Sequence, residues 1–181
     1  DVHLGHDGYM APQLDRKHGR NHALLMRDLE DGPGDPYILY QIGKDAEMRG
    51  DSTAACACYS QALERTLPTA RWRHELVVLA INALSKAGRR EAALALAEAE
   101  FEAWPESPDF FFVLGDMLLD QAIAEPARAV DHWLPLATGA WERCLVIGER
   151  PDLEGSVAGR GSHLAQHNLD VIRSQLALLA A

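Results

Sequence analysis

Residues 35–64 read DPYILYQIGKDAEMRGDSTAACACYSQALE. Leu39, Ile42, Gly43, Ala55, Tyr59 and Ala62 sit at helical spacings on either side of Gly50. The pattern predicts two helices joined at that glycine, because a left-handed residue ends a helix cheaply only when it has no Cβ. Asp51 and Ser52 suit the start of the second helix. Gly43, Ala55 and Ala62 are small enough to let the paired helices approach, and Leu39, Ile42 and Tyr59 fill the space between.

The stretch recurs. Gly88, in KAGRREAALALAEAE, takes the place of Gly50. Five residues after each glycine stand Ala55 and Ala93; nine after, Tyr59 and Ala97; twelve after, Ala62 and Glu100. Pro68 and Pro105 follow. Upstream, Leu39 matches Val77, Ile42 matches Ala80 and Ala46 matches Leu84. A third copy opens at SPDFFFVLGDMLL, with Phe111, Leu114, Gly115 and Leu118 on the same slots. There DQAIAEPARAVDHWLPLATGA separates the first helix from a second in AWERCLVIGER. One hairpin cannot cover its own apolar face, so the copies are expected to stack.

These spacings resemble the tetratricopeptide repeat, a helix–turn–helix unit of about 34 residues. The second copy departs from its pattern, with Ile81 in place of the first-helix glycine and Ala97 in place of the aromatic. The resemblance implies an all-α solenoid of about three such repeats, with an N-terminal helix and a C-terminal capping helix. Helices are expected near 20–30, 36–49, 52–66, 71–87, 89–104, 108–121, 139–149 and 162–180. Segment 125–138 has room for another short one, and no strand is expected beyond the first few residues. The final helix, GSHLAQHNLDVIRSQLALLA, spaces Leu164, Leu169, Ile172, Leu176 and Leu179 for packing on the last repeat.

The chain has 181 residues, enough for one domain with a real core. Its net charge of −10 argues against nucleic acid and anionic membrane surfaces, which need a basic patch. Cys56, Cys58 and Cys144 are too few for a disulfide framework. Cys56 and Cys58 lie two apart and face different ways on a helix, so reduced cysteines in a cytoplasmic protein are expected rather than a metal pair. No run reaches the roughly 18 apolar residues of a membrane span. The first residue is Asp, not Met, which suggests a piece of a longer protein.

The start, DVHLGHDGYMAPQLDRKHGRNHALLMRDLEDGPG, does not read as a repeat. With His6, Gly8, Tyr9, Lys17, Arg20, Asn21, Leu24 and Leu25, followed by DPYILYQIGK, it resembles the junction in bacterial family-2 glycosyltransferases that carry tetratricopeptide repeats behind the catalytic domain. SHLAQHNL near the end is similar to that family too. The resemblance implies that residues 1–34 are a junction left from an upstream domain, and that residues 35–181 are a helical accessory domain. The chain holds no α/β stretch and no Asp-x-Asp motif after a strand, so the fragment is expected to be no enzyme and to need no cofactor. By the resemblance, His6 is a weak candidate for the parent's metal or diphosphate site. The alternative is an exposed histidine on a severed end.

Other constellations are weak. His18 with His22, and His163 with His167, are four apart, but neither pair has a third ligand nearby, so ordinary helix histidines are expected. GRGSH, ahead of the last helix, could hold an anion at its N-terminus. The row of slots facing out from each first helix is more informative. It holds Tyr37, Tyr40, Gln41, Lys44 and Met48 in copy one, and Glu75, Val78, Asn82 and Lys86 in copy two. In copy three it holds Asp109, Phe112, Asp116 and Asp120. A concave face of this make-up suits a peptide or protein partner, with Tyr37, Tyr40, Gln41, Lys44, Asn82, Lys86, Phe112 and Asp116 as the binding residues. Equally, Tyr37, Tyr40 and Phe112 could be covered by the N-terminal helix or by 125–138. A basic clamp for a terminal carboxylate is not expected, because Tyr40, Val113 and Asp109 hold its slots. The expected partners are a protein or peptide, the upstream domain of the same chain, or a second copy.

Overall fold

A computed structural model of the protein describes residues 22–179. Among them every regular element is helical and no strand occurs. Residues 22–31 form α1. It is followed by α2 (Pro36–Met48), α3 (Ser52–Arg65), α4 (Arg73–Lys86) and α5 (Arg90–Glu100), which runs into a 3-10 turn at Phe101–Ala103. Then come α6 (Pro108–Ala124), the short α7 (Pro126–Arg128), a π turn (Ala129–Trp133), α8 (Leu134–Ile147) and α9 (His163–Leu179). The chain divides into two compact units, Asp1–Arg65 and Thr66–Ala181. The division follows the first hairpin, whereas the sequence placed a boundary after residue 34. His22 on α1 donates from Nδ1 to the buried Asp45 carboxylate of α2 at 2.8 Å.

In the first unit α2 and α3 form one hairpin. The Asp35 carboxylate accepts the Tyr37 and Ile38 N–H groups at 2.8 and 3.2 Å and starts α2, with Pro36 in its first turn. Gly50, at φ +76°, ends it. The Gly50 N–H reaches the Glu47 carbonyl at 2.9 Å and the Asp51 N–H reaches that of Ala46 at 3.0 Å, so two otherwise orphaned carbonyls are satisfied. Asp51 then accepts the Ala54 N–H at 2.9 Å and starts α3. A Cβ on Gly43 would collide with the Tyr59 ring, so the glycine is where the two helices touch most closely.

The second unit repeats this construction. Gly88, at φ +71°, closes α4, with its own N–H on Ser85 and the Arg89 N–H on Leu84, both at 2.9 Å. Ile81 and Ala97, both buried, hold the slots of Gly43 and Tyr59, so the bulk has moved from the second helix to the first. The slot of Ala62 is Glu100, buried but paired with Arg73 and accepting the Trp104 indole N–H at 3.1 Å. In the third hairpin Gly115 again faces an aromatic. A Cβ there would lie 2.5 Å from Nε1 of the buried Trp141. The second helix of that hairpin starts at Leu134, five residues before the expected 139. After a break at Glu125, segment 126–138 is helical, and its π turn buries Trp133. α6 packs on α4 as well as on α8, and α9 packs on α8.

Candidate functional site

The outward rows of α2, α4 and α6 fall in different units, Tyr37 to Lys44 in the first and Asn82 to Asp116 in the second. In the first, Tyr37 is 49% exposed. Tyr40 is 2% exposed, so it presents no surface to a partner and its place among the binding residues is corrected to a core position. Its ring lies 5.8 Å from that of Tyr37, its hydroxyl lies 3.3 Å from Lys44 Nζ, and the ammonium sits 5.2 Å over the ring. Helix geometry explains the contact, because residues four apart stack on one face. Gln41 and Lys44 are half-buried beside Tyr37.

In the second unit Lys86 is exposed and Asn82 half-buried. Phe112 and Asp116 are half-buried, with later parts of the same unit against them. The Arg160 guanidinium lies 5.3 Å from the Phe112 ring centre and donates to Asp109 at 3.0 Å. Asp109, 1% exposed, also accepts the Val157 N–H at 3.0 Å. Asn168 on α9 donates to Asp116 at 3.2 Å. Segment 148–162 and α9 thus lie along the row of α6 that the sequence assigned to a partner. Burial pushes the Asp116 carboxyl up to about 6, and Asp120 adds to the rise, while the Trp141 indole, Arg160 and Asn168 favour its charged form. The one signal for this cover in the sequence is the lone Arg160 inside a glycine-rich stretch.

His74 and Ser107 form the arrangement nearest to a nucleophile pair. His74 Nδ1 donates to the Glu154 carbonyl at 2.8 Å, and Nε2 lies 2.6 Å from Ser107 Oγ. Both residues are at most 2% exposed, and Ser107 Oγ also accepts the Phe110 N–H at the start of α6. No substrate reaches that hydroxyl. The pair pins the 148–162 segment to α4 and α6. The anion place at GRGSH is taken by the chain's own Glu149, which accepts the Gly159 N–H at 3.0 Å and the Ser162 hydroxyl. His163 and His167 are exposed, while His6 and His18 lie outside the described residues. No group of three or more metal-binding side chains occurs among the described residues. All three cysteines are free, and burial pushes the Cys144 thiol up to about 12.

A further concavity lies elsewhere. A cleft of about 1090 Å³ opens between α5 and α8, with α6 as its floor. Leu94 and Phe101 form one wall, Trp133 and Leu136 the other, and Phe111 and Leu114 the floor. Nothing in the sequence reading pointed here, because the cleft depends on where the π turn sets α8. No described helix is long and apolar enough to cross a membrane. No protein-family model matches the chain, and no curated protein matches it significantly in sequence.

Proposed function

We propose that the chain is a protein-interaction module built from tetratricopeptide-like hairpins, without catalytic chemistry of its own. The observation that carries this reading is one interlock built twice: Gly43 under Tyr59 and Gly115 under Trp141. With it go matching glycine closures after α2 and α4. Hairpins repeated on one plan set out rows of side chains at fixed intervals, a display suited to another protein's surface. The close His74–Ser107 contact is sealed in the core, which fits the same reading. The further idea, that this is the accessory domain of a glycosyltransferase, rests on residues 6–25 and on the similarity near the C-terminus. Photocrosslinking in the native host tests the module. A benzoylphenylalanine in place of Tyr37 or of Leu136, both about half exposed, should give a discrete adduct with one protein. Adducts no stronger than those from a buried control position, or turnover of a nucleotide sugar by the chain itself, would refute it.

A further inference from the structure

The α5–α8 cleft presents three apolar stripes lining one trough. Leu94, Ala97 and Phe101 repeat on α5 and its 3-10 extension; Phe111, Leu114 and Leu118 repeat on α6; Trp133, Leu136 and Ala140 repeat from the π turn through α8. Each set follows helical spacing. Phe101 and Leu136 are 48% and 47% exposed on the two walls. Gly139 also lines the cleft, and a Cβ built there meets no atom within 4 Å, so the trough is open at that wall.

The rim is electrostatically one-sided. Glu98 and Glu102, four apart on the α5 wall, are exposed and make no ion pair or hydrogen bond among the described residues. Arg143 on the facing wall is already engaged, donating to Glu106 at 2.7 Å and to the Pro105 carbonyl at 2.9 Å. His132 packs edge-on against Trp133 at 4.4 Å. The uncompensated rim charge is therefore negative.

We propose that this cleft is a docking site for an amphipathic helix of a partner protein, with an apolar stripe facing Phe111 and Leu114 and basic residues flanking it toward Glu98 and Glu102. This deepens the interaction-module reading and rests on it. The backbone of the walls decides against an extended peptide. All three walls are helices whose N–H and C=O groups are used internally, so a β-strand would find no backbone partners, whereas a helix brings its own. From His132 to Arg143 the wall runs about 16 Å at 1.5 Å per residue, room for about three turns of a partner. The open trough also exceeds the roughly 300–1,000 Å³ of ordinary small-ligand pockets.

Two 16-residue peptides test the proposal on the whole 181-residue chain. Both carry the same leucine stripe at i, i+3, i+4 and i+7; one is flanked by lysines, the other by glutamates. Fluorescence anisotropy should show the lysine peptide binding roughly tenfold more tightly at low salt, with the preference shrinking as salt rises. E98Q/E102Q should bind both peptides about equally. L136D should bind neither, while its melting transition stays that of the parent. Equal affinity for the two peptides, or binding that survives L136D, overturns the assignment. So does a dimer of the parent chain that L136D dissociates, since the occupant would then be a second copy. If the peptides fail while Tyr37 crosslinks a partner, the module stands and only the cleft assignment falls.

Discussion

Substituting Gly115 by alanine probes the contact on which the third hairpin depends. A methyl at Gly115 would lie 2.5, 2.7 and 2.8 Å from Nε1, Cε2 and Cδ1 of Trp141, where ordinary contacts begin at 3.4 Å. The indole is fully buried and must move by more than half an ångström, or α6 and α8 must part. Overpacking of this kind costs about 1–3 kcal/mol. Alanine recovers about 1 kcal/mol of helix propensity, so the net loss should be about 0–2 kcal/mol. Trp141→Ala removes the whole indole, and with it all three of the nearest atoms. Alone it leaves a cavity and should cost about 3–5 kcal/mol. Together, the methyl enters the vacated space, and the double variant should be more stable than the sum of the single losses implies by about 1 kcal/mol. Urea denaturation of the four proteins, followed by circular dichroism at 222 nm, measures this coupling. Additivity within about 0.5 kcal/mol would mean that Gly115 and Trp141 do not share a contact, and the packing of the third hairpin would be wrong.

Asp116 titrates at about 6 in the folded protein against 3.8 unperturbed, so the stability it contributes is present below pH 4 and is lost as pH rises through about 6. Relative to Asp116→Asn, the parent should therefore lose on the order of 2 kcal/mol between pH 4 and 7; parallel curves for the two proteins would contradict the burial of that carboxyl. Ser107→Ala removes a helix cap and leaves His74 Nε2 without its partner, and thermal melting should report a loss of about 2 kcal/mol. Ala55→Leu overfills the fully buried seam of the first hairpin and should cost about 1–3 kcal/mol; an unchanged melting curve would sink the alignment of the first copy.

The candidate site was half legible from the sequence. Periodicity put Tyr37, Tyr40 and Lys44 on one row of α2, and they do stack there. Periodicity assigns a face, however, and not what covers it. Phe112 and Asp116 are met by Arg160 and Asn168, 48 and 52 residues further on, a separation no local pattern encodes. Tyr40 is buried for the same class of reason. An aromatic at a row position reads alike whether water or protein lies above it.

The sequence by itself determined the hairpins. Gly50 and Gly88 adopt positive φ, which L side chains rarely do, and the residues beside them form the closing hydrogen bonds. The alternation of small and large residues at Gly43, Ala55 and Tyr59 dictates how closely α2 and α3 pack, and that too is local information. Tertiary structure alone decided the rest. It decided that Ile81 and Ala97 could exchange bulk with little effect on the fold, because a seam conserves summed volume rather than identity. It set the start of α8 through a π turn that buries Trp133, and so opened the apolar cleft beside it. It laid segment 148–162 over α6, where the buried Asp109 carboxylate is compensated by the Val157 N–H and Arg160. A buried charge must find its partner wherever the chain returns, and that return is settled only when the whole unit packs.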